Sequence, residues 1–190
     1  MAQRELDLVM SRNPNIENGA KLYETCAACH GAKGEGASDG SIPALAGQSF
    51  MVIAKQVVDF RAGVRADARM EHFSDRRHLS FSQPIADVAF YIAKLPAPRP
   101  GTPPAGASLS RGALEYARSC ERCHGVSGEG KEDTLSPRLA SQHYEYLVRQ
   151  LNDVAENRRP AMAEVHASLV RRGSPEELEA IAAFLSSLPQ

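Results

Sequence analysis

Two short segments constrain this chain more than any other feature: CAACH at residues 26–30 and CERCH at residues 120–124. Together they use all four cysteines of the 190-residue chain. C-x-x-C-H is the pattern by which a polypeptide attaches haem c. Each thiolate adds to one haem vinyl group and forms a thioether. The two-residue spacer lets both sulfurs reach the same edge of the macrocycle, and the next residue sets an imidazole below the iron. Two copies predict two covalently bound haem c groups, held by Cys26 and Cys29 and by Cys120 and Cys123, with His30 and His124 on the irons. Zinc knuckles would place paired C-x-x-C motifs ~15–20 residues apart, whereas these lie 94 positions apart. A thioredoxin-like dithiol expects a βαβ pattern around it, and the chain has none.

The spacing belongs to an internal repeat. PALAGQSF (43–50) aligns with PRLASQHY (137–144) at an offset of 94, as do Gln56 with Gln150 and Arg65 with Arg159. Near the end of each half the offset becomes 93, where Ile85, Val88, Ala89, Ile92 and Leu95 match Leu178, Ile181, Ala182, Leu185 and Leu188. The stretch between the halves is rich in Pro and Gly and reads as an extended, semi-rigid linker. The predicted organisation is a first domain at 1–96 with an extension at 1–15, a linker at 97–108, and a second domain at 109–190.

Each half predicts three helices and no strand. The first, near 16–26 or 110–120, runs into the cysteine motif. The second, near 49–62 or 141–156, has an apolar face at helical spacing: Phe50, Ile53, Val57 and Phe60, mirrored by Tyr144, Leu147, Leu151 and Val154. The third carries the i, i+3, i+4, i+7 stripe given above. In the second half Ser174-Pro175-Glu176-Glu177 opens it as a capping box. These stripes read as core, except Tyr91 and Phe184, which are candidates for haem contact.

The remaining site residues follow from the repeat. Pro43 and Pro137 each lie thirteen residues past the motif histidine. A proline carbonyl accepts a hydrogen bond, and an imidazole N–H aimed at it would orient the ring and tune the iron. Met70 lies 40 residues past His30, and Met162 lies 38 past His124, both in arginine-containing segments that read as irregular. They are the expected distal ligands; a thioether is soft and raises the haem potential. The rival donors are His72 and His166, each 42 residues past its motif histidine, with His78 a third. Bis-histidine ligation would give low-potential haems, and no cysteine is left over to ligate. Arg65 and Arg159, matched in the segment before the ligand, are expected beside the anionic haem propionates.

Composition excludes several classes. No apolar run approaches the ~18 residues of a spanning helix. A net charge of −1 and a pI of 6.6 lack the basic surplus of a nucleic-acid binder. With 43% hydrophobic residues the chain is not disordered. No tryptophan and 6% aromatics leave room for a bulky cofactor in the core. The N-terminus shows no apolar signal segment, so the chain is expected to be a mature form or a fragment.

Each half resembles a class I cytochrome c domain: helix, C-x-x-C-H, Pro-x-Leu segment, distal methionine loop, closing helix. The pair is similar to the two-domain dihaem cytochromes of the cytochrome c-four type. CAACHG, LAGQ, the glutamine-bearing middle helix and the Leu-Ser or Gly-Ser lead-in to the last helix carry the likeness over about residues 16–189. The chain departs from it in residues 1–15, in a first methionine loop two residues longer than the second, and in Ser82-Gln83-Pro84, where the family has an acidic pair. The resemblance implies an all-α fold of two tandem domains, each built around one haem. It also implies a periplasmic electron carrier, soluble or loosely membrane-attached, with no catalytic residue of its own. Its partners would be a quinol-oxidising cytochrome bc complex or a dehydrogenase as donor and a haem-copper oxidase or a reductase as acceptor. The competing readings are the electron-accepting subunit of a dehydrogenase complex and a dihaem peroxidase.

Overall fold

The computed structural model describes residues 2–159 and 164–189. Among them are ten helices and no strand, only an isolated bridge between Lys131 and Ser136. The first half contains α1 (Ala2–Met10), α2 (Ile16–His30), α3 (Phe50–Arg61), α4 (Ala68–Ser74) and α5 (Ser82–Ala93). The second contains α6 (Leu109–Ser119), α7 (Glu121–His124), α8 (Tyr144–Ala155), α9 (Glu164–Arg171) and α10 (Pro175–Ser187).

In each half the helix leading to the cysteine motif crosses the closing helix, α2 on α5 and α6 on α10. A glycine sits at each crossing. A Cβ on Gly19 would lie 2.2 Å from the Asp87 carbonyl oxygen, and one on Gly112 would lie 2.0 Å from that of Ala180. Only a residue without a side chain lets two backbones approach so closely. Beside the crossings stand Tyr23 against Tyr91, with ring centroids 5.3 Å apart, and Tyr116 against Phe184, at 5.7 Å. Ile85, Val88, Ala89 and Ile92 are buried in the first core, and Ile181, Ala182 and Leu185 in the second. Burying one such aliphatic side chain contributes roughly 1.5–3 kcal/mol.

Local chemistry sets the helix ends. Asn15 caps α2, its side chain accepting from Asn18 N. The buried Asp87 carboxylate ties α5 to that end by accepting from Asn15 N at 2.8 Å and Asn18 Nδ2 at 2.6 Å. Ser174 and Glu177 form the capping box of α10 in both directions.

The structure differs from the sequence expectations in having, among the described residues, five helices in each half rather than three, α1, α4, α7 and α9 being additional, and in several helix bounds. Helix α2 continues through the cysteine motif, where Ala27 and Ala28 favour helix. In the second half the helix breaks at Cys120, between α6 and α7. Helix α8 starts at Tyr144, because Ser141 has φ +61° and uses its hydroxyl on the Leu188 carbonyl. The Met70 segment is helical, since the Asp67 side chain accepts from Arg69 N and Met70 N and so starts α4. The extension forms α1, which packs on α3 and α5 of its own domain. There Leu6 and Val9 are buried and Glu5 pairs with Arg61 at 2.5 Å.

Candidate functional site

Each motif histidine ends its helix and is buried, with 6% of its surface exposed. His30 Nδ1 lies 3.0 Å from the Pro43 carbonyl oxygen, and His124 Nδ1 lies 2.9 Å from that of Pro137. A carbonyl can only accept, so Nδ1 carries the proton and Nε2 keeps its lone pair. Burial pushes both imidazole pKa values down, which keeps the rings neutral and able to donate that lone pair.

No disulfide joins any two of the four cysteines. Cys26 and Cys120 are partly buried and Cys29 and Cys123 exposed, so each motif presents one inner and one outer sulfur. Burial pushes the Cys26 and Cys120 thiols up to about 11. Gly31 and Gly125, just past the histidines, have φ near +80°. Their carbonyls accept from Tyr23 Oη at 2.7 Å and Tyr116 Oη at 2.5 Å. This tyrosine-to-glycine tie repeats in both halves and locks the exit from the motif. Tyr23 and Tyr116 stand three and four residues before the first cysteine of their motifs, which is the signal of this tie in the sequence.

Met70 is half-buried on α4. The charges of Arg69 and Asp67 beside it both act on His30, so the start of α4 stands near the first histidine. Met162 lies outside the described residues. Of the rival donors, His72 is exposed and clusters with His78, ring centroids 4.6 Å apart, while Asp75 accepts at the turn from His78 N and Arg77 N. His166 lies against His124 with centroids 6.0 Å apart, and its buried Nδ1 has no hydrogen-bond partner among the described residues.

Arg65 and Arg159 meet at the boundary between the halves. Arg65 donates to Gln56 Oε1 at 2.5 Å, Tyr146 Oη at 2.7 Å and Gln150 Oε1 at 2.8 Å. Arg159 donates to the same Gln150 oxygen at 2.9 Å. Burial, and then the Arg65 charge, pull the Arg159 guanidinium down to about 10. Among the described residues no carboxylate forms an ion pair with either arginine. Two guanidinium groups sharing one neutral oxygen are a place for an anion, and haem propionates have that charge. Two thiols and one lone-pair imidazole nitrogen in each half, with a converging cationic pair where the halves meet, fit the chemistry of two attached haems.

The halves dock on each other. Gln48 bonds both polar backbone groups of Arg138, and Gln142 does the same to Ala44. His143 Nε2 donates to the Glu35 carbonyl at 2.7 Å, and Arg149 donates to that of Gly40 at 2.7 Å.

The family model described as cytochrome c matches twice, at residues 16–96 and 109–189. A cytochrome c4 from Pseudomonas aeruginosa is 38% identical over 90% of this chain and 87% of its own length. A thiosulfate dehydrogenase electron acceptor from Stutzerimonas stutzeri is 30% identical over 96% of this chain and 92% of its own. The crystal structure of reduced recombinant cytochrome c4 from Pseudomonas stutzeri superposes with a TM-score of 0.80 at 25% identity, covering 93% of this chain and all of that one.

Proposed function

The chain belongs to the cytochrome c family, as a two-domain electron-transfer protein of the cytochrome c4 type with two covalently bound haem c groups, and we propose that it works as a periplasmic carrier. Bound haem c supplies a one-electron iron couple. In this reading Cys26 with Cys29, and Cys120 with Cys123, anchor the groups. His30 and His124 offer Nε2 to the irons while Pro43 and Pro137 fix the ring tautomer and orientation. Met70 and Met162 would supply the distal thioethers, whose soft sulfur favours the reduced state. Arg65 and Arg159 offset propionate charge where the domains meet.

One observation carries the reading: the same histidine-to-proline geometry occurs twice, at 3.0 and 2.9 Å, in domains that dock. The donor would be a quinol-oxidising complex or a dehydrogenase, and the acceptor a terminal oxidase or reductase. The thiosulfate dehydrogenase electron acceptor among the relatives supports a dehydrogenase as donor. Haem c is attached outside the cytoplasm, which supports the periplasm. No described helix is long and apolar enough to cross a membrane.

Mass spectrometry of the holoprotein tests attachment: two haems should add to the polypeptide mass, and one or none would contradict the reading. The oxidised protein should show the far-red sulfur-to-iron band, and Met162→Ala should remove the second domain's share. A second reading, bis-histidine ligation in the second half, is favoured by the place of His166 beside His124. It gains if Met162→Ala leaves the band intact and His166→Ala changes the spectrum.

A further inference from the structure

The glutamines of the two LAGQ-like segments do more than hold the domains together. Gln142 Oε1 accepts from Ala44 N at 3.0 Å, and its Nε2 donates to Ala44 O at 2.9 Å. Gln48 Oε1 accepts from Arg138 N at 2.9 Å, and its Nε2 donates to Arg138 O at 3.1 Å. Ala44 follows Pro43, and Arg138 follows Pro137. The Pro43 carbonyl and the Ala44 N–H are therefore the two ends of one planar peptide unit. His30 holds the oxygen of that plane, at 3.0 Å, and the second domain's Gln142 holds its N–H. The mirror arrangement joins His124, the Pro137–Arg138 peptide and the first domain's Gln48.

We propose that Gln48 and Gln142 are positioning residues with crossed targets: each sets the orientation and donor strength of the other domain's proximal histidine. The physics is that of a short hydrogen-bond chain. An amide N–H that donates to an acceptor makes its own carbonyl more negative, so bonds in series strengthen one another. A stronger acceptor at Nδ1–H makes the imidazole more basic at Nε2. A peptide plane gripped at both ends also cannot rotate away from the histidine. Each domain thus carries the outer support for the iron site it does not contain. The inference rests on the reading of His30 and His124 as iron ligands.

The test uses the haem-loaded full chain with Gln142→Ala, Gln48→Ala and, as an interface control, Arg149→Ala. Arg149 bridges the domains through the Gly40 carbonyl and touches neither proline peptide. Two readouts are taken for each haem: the hyperfine-shifted proximal histidine signals in proton NMR, assigned by contacts to each domain's own residues, and the reduction potential. Gln142→Ala should move the His30 signals and raise the first haem's potential, since a weaker donor stabilises the oxidised iron less. Gln48→Ala should do the same to His124 and the second haem. The expected size is up to about tenfold in the affected haem's reduction equilibrium, or ~59 mV for one electron. Arg149→Ala should move neither. A shift confined to the domain that carries the substitution, equal shifts in both haems, or no shift would overturn the proposal. Failure of the ligand assignment is separately visible, because the wild type would then lack hyperfine-shifted histidine signals in one or both domains.

Discussion

Replacing Gly112 by alanine probes the contact that sets each haem motif against its closing helix. The new Cβ would lie 2.0 Å from Ala180 O, 2.7 Å from the same carbonyl carbon and 2.8 Å from Phe184 Cβ. The obstruction is helix backbone, which cannot turn aside as a side chain can. Since ordinary contact is about 3.4 Å or more, the two helices must separate by on the order of 1 Å, a strain in the upper part of the roughly 1–3 kcal/mol range of overpacking. Alanine is the better helix former by about 1 kcal/mol, which opposes the loss. The net expectation is ~1–2 kcal/mol of destabilisation, or a fall of roughly 4–16 °C in the melting temperature of a domain this size. Helix α6 feeds directly into Cys120, so its displacement also pulls His124 from Pro137. Thermal unfolding of the haem-loaded protein, followed by circular dichroism and by the Soret band, checks both effects. Gly101→Ala is the control, because its Cβ would meet only Ser186 O at 3.7 Å. A Gly112→Ala protein as stable as the wild type would mean that the crossing has slack.

Two further substitutions isolate single supports. Tyr116→Phe should cost about 1–3 kcal/mol, because it leaves the Gly125 carbonyl without the hydroxyl that now sits 2.5 Å away in a buried position; urea unfolding gives the value, and an unchanged midpoint would count against the tie. Arg61→Ala should lower stability by roughly 1–3 kcal/mol, as expected when part-buried acceptors lose a charged donor. Arg61 joins Glu5 of α1 to the Ser74 and Leu79 carbonyls. If Met70 ligates the first iron as proposed, the far-red band of that domain should be lost at a lower temperature than in the wild type, and an unaltered band would separate α1 from α4.

The sequence disclosed whatever depends on residues near one another in the chain. The twin cysteine motifs, the 94-residue offset and the Ser174 capping box are local patterns, and the closing-helix stripes need only their own periodicity. Helix α4 was hidden because RADARM lacks an apolar stripe and depends on one cap, Asp67. The glycine crossings were invisible because Gly19 and Gly112 matter only through the backbones of Asp87 and Ala180, about 70 residues away. Arg65 and Arg159 stand out by their matched repeat positions. That both converge on Gln150 is a property of the docked pair, which neither half's sequence contains. The same holds for Gln48 and Gln142, whose partners lie 90 and 98 residues away.

Two haems in docked domains should act as one unit. Flash reduction of the holoprotein, followed at wavelengths that separate the two haems, measures this directly. Domains joined by the Gln48 and Gln142 bonds and tethered by a short proline-rich linker should exchange the electron in a fast first-order step, with a rate independent of protein concentration. A redistribution whose rate rises in proportion to concentration would mean that electrons move only between molecules, and would contradict the docked arrangement as the basis of function.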